Sequence, residues 1–263
     1  MLLAIPFGLA IGLAVGTLGG GGSVLAVPVL VYVLDQTVPE ATTTSLVVVA
    51  AGAIAGGLSH ARAGRVCWRH AGSFTAAALP GIVLGTLAAE LVSGKLLLVG
   101  FALVMLVAAH ATWRKASDYE PTGTWEAGGA CPPLRIPRDL IAGAAVGLVT
   151  GFFGVGGGFL IVPTLAIALA FTMRTAVGTS LVIITATSLL GLAAHLLAGR
   201  SLDAGITAAM TFGCVGGALA GAALAARIPQ RHLGRGFALL VVAVAAYLLV
   251  SITLLDGPPG GTG

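Results

Sequence analysis

Charge is what this sequence has least of. Only 8% of its 263 residues are Asp, Glu, Lys or Arg, where a soluble domain carries about a quarter. Such a chain cannot cover itself with polar surface. With 57% hydrophobic residues and a mean hydropathy of +1.06, it reads as an integral membrane protein. Strict apolar–polar alternation over segments of about ten residues is also missing, which favours a helical bundle over a β-barrel. The first basic residue is Arg62. A secretory leader needs a basic start and a cleavage site, so the apolar N-terminus is expected to belong to the mature bundle. Cysteine is scarce. Cys67, Cys131 and Cys214 form no metal-ligand spacing, and neither a disulfide nor a metal or other cofactor is expected. No Lys-Ser or Lys-Thr follows the glycine runs as in a P-loop, their flanks are membrane helices and not strands, and no Ser/His/Asp set is suggested by spacing. An enzyme is therefore not expected. The net charge of +4 reflects membrane topology, not nucleic-acid binding.

What the chain has in plenty is glycine, and its placement repeats. Residues Gly12–Leu30, GLAVGTLGGGGSVLAVPVL, match Gly147–Leu165, GLVTGFFGVGGGFLIVPTL. At an offset of 135 the match runs without a gap for about sixty residues: Gly8, Gly12, Gly16, Gly19, Gly21 and Gly22 fall on Gly143, Gly147, Gly151, Gly154, Gly156 and Gly157, and Pro28 on Pro163. Thr44-Ser45-Leu46-Val47 falls on Thr179-Ser180-Leu181-Val182, and His60, Gly64 and Arg65 on His195, Gly199 and Arg200. Glycine abundance explains none of the last matches. Two copies of an apolar helix broken by glycine point to a transporter built from repeats, with its site at the breaks.

Leu2–Leu34 is apolar throughout. As one helix it would be about 50 Å long, against a hydrocarbon core of about 30 Å. A break at Gly19–Gly22 turns it into a helical hairpin, whose turn must be buried in protein or line a cavity. Helices are expected at Ala41–Ser59, Ala71–Val92 and Leu96–Trp113. The second half follows with a broken segment near Leu140–Ala170, then Ala176–Leu197, Ala204–Ala226 and about Gly236–Leu255. The units are thus residues 1–113, a cytoplasmic linker 114–137, residues 138–255 and a disordered tail 256–263. If both broken segments cross the bilayer, the 13 Lys and Arg divide 8 against 5; if both are re-entrant, they divide 11 against 2. Positive charge marks the cytoplasmic side, so the second division is expected, with both termini extracytoplasmic in the prokaryotic plasma or inner membrane. The expected fold is an all-α polytopic membrane protein of two inverted repeats, each a Gly-broken, re-entrant helical hairpin plus three transmembrane helices.

The doubled Gly-rich-Val-Pro motif and the Thr-Ser helices after it resemble the TauE/SafE sulfite exporter family of small bacterial permeases. The resemblance covers nearly the whole chain except linker and tail. It implies transport of sulfite, a sulfonate or a related sulfur-containing anion, and names no particular substrate.

The residues themselves suit an anion. Glycine N–H groups turn toward a ligand without side-chain obstruction, and a helix start after the run offers free donors and positive potential. The cradle is expected from Gly20, Gly21, Gly22 and Ser23 with Gly156, Gly157 and Gly158, Ser23 doubling as a helix cap. Hydroxyls of Thr43, Thr44, Ser45, Thr179 and Ser180 complete the shell or cap their helices. His60 and His195 are candidates for proton coupling, or interfacial histidines bonded to backbone. Arg65 and Arg200 attract anions to the mouths or anchor topology, and Glu90 is an acid near a helix end. Gly81 and Gly85, and Gly213, Gly217 and Gly221, read as helix packing. Expected partners are a small inorganic or organic sulfur anion and the lipid bilayer, no nucleic acid, and a homodimer left open. A passive anion channel and a non-catalytic membrane subunit are the alternatives to a carrier.

Overall fold

A computed structural model describes residues 3–89, 92, 94–117, 131–133, 135–153, 158–197, 199 and 202–254. Those residues are helical apart from short connections. Helix α1 (Ala4–Leu18) passes through a 3-10 turn, Gly19–Gly22, into α2 (Ser23–Tyr32); α3 (Val38–Arg62), α4 (Trp68–Ala89) and α5 (Gly94–Ser117) follow. The second half holds α6 (Ile136–Phe153), α7 (Gly158–Pro163) continued by a π turn at Thr164–Ala168, then α8 (Met173–Leu197), α9 (Ala204–Arg227) and α10 (Gln230–Leu254). Six described segments are long and apolar enough to cross a bilayer: Ala4–Val31, Pro39–Arg62, Trp68–Ala88, Ile136–Phe153, Met173–Leu197 and Ala204–Arg227.

Local chemistry sets the helix ends. Thr37 and Glu40 form a capping box with Pro39 in the first turn, so α3 starts at Val38 and not at Ala41. Asp203 Oδ1 accepts the Ile206 N–H at 2.8 Å and starts α9. Repeat-matched Gly64 and Gly199 lie just beyond α3 and α8 at φ +69° and +71°, the left-handed conformation that ends a helix. Helix α10 begins six residues before the expected Gly236, so Arg231 and Arg235 belong to its first turns.

The first break is a true reversal. Gly19 has φ 70° and ψ −126°, a combination that needs glycine. A Cβ on Gly22 would lie 2.5 Å from Val15 N and 2.8 Å from Ile11 O, so α2 has already turned back beside α1.

Each broken segment packs on a helix of the other half. Gly8, Gly12 and Gly16 of α1 stand so close to the Met210, Cys214 and Ala218 carbonyls of α9 that no Cβ would fit, and Gly213, Gly217 and Gly221 return the contact to Ile5, Leu9 and Leu13. In the same way Gly143, Gly147 and Gly151 of α6 stand on Phe74, Ala78 and Ile82 of α4, with Gly81 and Gly85 returning it to Ala144 and Leu148. The two interfaces match residue for residue, with the offset one residue wider between α4 and α9. Small residues let backbones approach and gain dispersion where apolar burial drives nothing. Helices α3 and α8 cross at the centre, Gly56 against Leu181 and Gly191 against Leu46.

The cysteine expectation is corrected here. Cys67, at the start of α4, and Cys131, before α6, form a disulfide with Cα atoms 5.7 Å apart across 64 residues of sequence. Spacing along the chain did not show it because the packing of α4 on α6 brings the two segments together.

Candidate functional site

The first break meets Gly158, the first residue of α7, backbone to backbone. A Cβ on Gly20 would fall on the Gly158 carbonyl, and one on Gly158 would lie 2.7 Å from Ser23 Oγ. Gly19–Gly22 are all buried, and each has its own neighbour. Gly19 faces Ser180 Oγ and Val162, Gly21 faces Phe237 and Leu240, and Gly22 faces Val15 and Ile11. The glycines therefore bring together the first half, α7, α8 and α10 at one point. Ser23 Oγ donates to Gly20 O at 2.7 Å, a bond inside the turn; it does not cap α2. Gly156 and Gly157 lie outside the described residues, as do Glu90, Arg200, residues 118–130 of the linker and the 256–263 tail.

The expected hydroxyls fall into two groups. Ser180 is fully buried beside Gly19 and donates to Val177 O at 2.8 Å. Thr179, one residue earlier, accepts the Cys67 N–H at 3.1 Å and so ties α8 to the start of α4. Thr43, Thr44 and Ser45 occupy the matching turn of α3. Thr43 Oγ1 is 3.0 Å from His195 Nδ1, Thr44 Oγ1 is 3.3 Å from Thr207 Oγ1 on α9, and Ser45 Oγ donates to Thr42 O at 2.8 Å. Thr43 and Thr44 thus stand with the ends of α8 and α9, and the Ser45 hydroxyl bonds within its own helix.

His60 is 1% exposed, and its Nε2–H donates to Gly16 O at 3.2 Å, in the last turn before the first break. Its Nδ1 finds no partner among the described residues. Arg65, in the connection after α3, is half-buried. Burial, and next the charge of Arg174, pull its guanidinium below the ordinary arginine value. The Arg174 side chain reaches the Ala226 and Ile228 carbonyls at the end of α9, at 3.2 and 3.1 Å. Among the described residues no Lys or Arg is buried.

One polar cluster escaped the sequence reading. His70 Nδ1 lies 2.9 Å from Asp139 Oδ1, with side chains 4% and 0% exposed. His70 Nε2–H donates to Pro132 O at 3.0 Å, and Phe171 presents its ring edge-on at 5.0 Å. A cavity of about 200 Å³ beside the pair is lined by Pro133, Arg135, Arg138, Leu169 and Ala170 as well. The signal for this pair lay where the halves differ. Asp139 corresponds to Ala4 at the repeat offset, and His70 packs one turn before Phe74 as Ile206 does before Met210.

Comparison with known proteins fits this architecture. A sequence model of the family described as sulfite exporter TauE/SafE matches residues 4–248. A probable membrane transporter protein of Xylella fastidiosa strain 9a5c is 38% identical over 262 residues, covering 95% of each chain. The probable membrane transporter protein YunE of Bacillus subtilis is 26% identical over 76% of this chain and 79% of its own. The probable membrane transporter protein MJ0441 of Methanocaldococcus jannaschii is 28% identical over 75% and 74%. No solved structure matches the chain.

Proposed function

The chain belongs to the TauE/SafE sulfite exporter family and is a multi-pass membrane transporter, and on that premise we propose that it carries sulfite, or a related sulfur oxyanion or sulfonate, past the point where its two glycine breaks meet. The observation that carries this is the contact of Gly20 with Gly158, flanked by Ser23 and Ser180, in an interior without Lys or Arg among the described residues. Backbone N–H groups and hydroxyls can hold a compact anion there once the breaks part, with no buried cation to bind it too tightly for release. Gly21, Gly22, Gly156, Gly157 and Thr179 belong to the same proposed shell.

The breaks are closed on each other, so transport needs alternating access. We take the broken segments as re-entrant hairpins related by inversion. Supporting this, α6 starts beside His70 and the chain returns to the same His70 at Phe171. At the opposite end, Ile5 stands by Gly213 on α9, while α3 starts with Thr44 by Thr207 on the same helix. The exchange of broken segments between halves makes two moving units against the α3–α8 crossing. His60 on Gly16 O and His195 on Thr43 steady those units.

The ends of the bundle differ in charge. Arg174 bonds α8 to the end of α9, Arg235 lies 5.5 Å over the Trp113 ring at the end of α5, and Arg65 O meets Gly178 of α8. These contacts gather the basic residues at one end, which we orient to the cytoplasm, with both termini outside.

The test is sulfite flux in vesicles reconstituted with the purified chain. Saturable uptake with counterflow supports a carrier. Flux that neither saturates nor shows counterflow makes the protein a channel. No movement of sulfite, with movement of another anion, overturns the substrate.

A further inference from the structure

The His70–Asp139 pair touches neither glycine break, yet it sits where the second broken segment returns. We propose that it is the proton-binding site of the carrier, built into the basic mouth and left out of the opposite one; this rests on the transporter reading.

Proton counting comes first. The Pro132 carbonyl can only accept, so Nε2 must carry a hydrogen. A neutral imidazole then has a bare Nδ1. Its 2.9 Å contact with Asp139 Oδ1 therefore needs one further proton, held as imidazolium with carboxylate or as imidazole with carboxylic acid. Either way the pair holds one shared proton and is neutral. When that proton leaves, the N–H or O–H bond breaks, the electron pair stays behind, and water in the adjoining cavity takes the proton. A lone pair then faces a carboxylate at hydrogen-bond distance, and this polar contact between α4 and the first turn of α6 is lost. Asp139 Oδ2 is buried with no partner, so among the described residues nothing else holds the carboxylate in place.

The surroundings fit a proton and its path. Arg135 and Arg138 line the cavity with the pair, and Arg69, beside His70 on α4, is exposed. The returning segment contributes Leu169, Ala170 and Phe171 and no charge. On α8, Arg174 is engaged by the α9 carbonyls. The two cavity arginines also draw anions to this mouth. Phe171 links the pair to the second break, since its ring meets His70 and its N–H donates to Leu165 O at 3.0 Å.

The asymmetry makes the pair directional. At the opposite mouth the corresponding positions are Ala4 and Ile206, and Gln36 takes the place of Phe171. That mouth closes without a titratable group among these positions. At these matched positions only the basic mouth carries a proton-binding pair, which couples opening on that side of the membrane to proton release there.

The experiment compares the parent with His70→Ile/Asp139→Ala, which copies the opposite mouth, and with Asp139→Asn. In Asp139→Asn the amide N–H donates to Nδ1 while Nε2–H keeps Pro132, so the latch is satisfied with no shared proton to lose. Sulfite flux and lumen pH are followed in vesicles loaded with a pH-sensitive dye. The parent is expected to move protons with sulfite and to change its flux about tenfold across a pH series from about 5 to 8. The double variant should carry sulfite and keep only the pH change and proton movement that follow from sulfite's own protonation to bisulfite, with none added by the protein. Asp139→Asn should stay folded and lose most of its flux. Equal proton movement per sulfite in parent and double variant overturns the proposal while leaving the carrier intact. If the parent moves no sulfite, the substrate reading fails, and the pair is judged by thermal stability against pH in detergent. A parent that loses stability as pH rises, beside a flat double variant, upholds the proton site; identical profiles overturn it.

Discussion

Gly20 and Gly158 touch backbone to backbone, one from each half of the chain, and no atom larger than hydrogen fits on the facing side of Gly20. Helix α7 is only six residues long and wholly buried; besides this contact, Val162 packs on Gly19 and Phe159 is edge-on to Phe101 at 5.2 Å. The glycines of the breaks thus do two jobs. Gly19 makes a bend that other residues strain to make, and Gly20 permits a contact that other residues block.

Gly20→Ala should therefore destabilise the protein strongly. The new methyl meets backbone, which cannot rotate away, and overpacking of this kind costs about 1–3 kcal/mol or more. Gly72→Ala is the matched control. Gly72 lies in α4 with nothing within 4 Å of where its Cβ would be, so Ala should stabilise by up to about 1 kcal/mol through helix propensity. Thermal unfolding of both variants in detergent checks the pair. Equal effects would mean that the breaks do not touch.

Ser180→Ala separates binding from folding. The hydroxyl makes a bond within its own helix, to Val177 O, and such back-bonding adds little to a helix. Stability should change by less than about 1 kcal/mol. If Ser180 serves the anion, the sulfite concentration for half-maximal flux should rise about tenfold, equivalent to one lost hydrogen bond of about 1.4 kcal/mol. An unchanged half-saturation removes Ser180 from the shell.

Arg174→Ala tests a helix end. Its guanidinium bonds the Ala226 and Ile228 carbonyls, which the α9 C-terminus leaves without helical donors. The first of these bonds is exposed, so the expected loss is modest, about 1 kcal/mol. Arg174→Lys should recover part of it. A loss in Ala that Lys recovers fully would assign the effect to charge alone.

How far sequence reached depended on whether a feature was shared by the halves. Gly19, Pro28, Ser45 and His60 announced the breaks and the first helix of each half because their partners recur at one offset. The exchange of broken segments was not legible. Gly81 and Gly85 present the same small-residue face as Gly217 and Gly221, and such a stripe says that a helix will be approached closely without saying by which one. His70 and Asp139 were passed over because a search for matches discards positions where the copies differ, and there the difference is the information. Asp139 falls one residue before the expected start of its helix near Leu140. It is buried because α4 covers the first turn of α6.

The disulfide gives the sharpest test of orientation. Cys67 and Cys131 stand at the basic end, beside His70 and Pro132. The charge rule sends that end to the cytoplasm, where thiols are kept reduced; a standing disulfide belongs to an oxidising compartment. The two rules oppose each other, and the proposal follows the charge, which rests on many residues where the disulfide is a single pair. In cells the cysteines should then be thiols held close enough to join on oxidation. Cys131 is exposed while Cys67 and Cys214 are buried, so a membrane-impermeant maleimide reports on Cys131. Added to intact cells it should label nothing; added after permeabilisation it should label Cys131, and prior mild oxidation should abolish that labelling. For the oxidised protein, Cys131→Ser should cost about 2–4 kcal/mol, as expected for a bridge closing a loop of this length. Labelling from outside, or a disulfide already formed in untreated cells, would turn the molecule over, putting the basic end and the His70–Asp139 pair on the outer face.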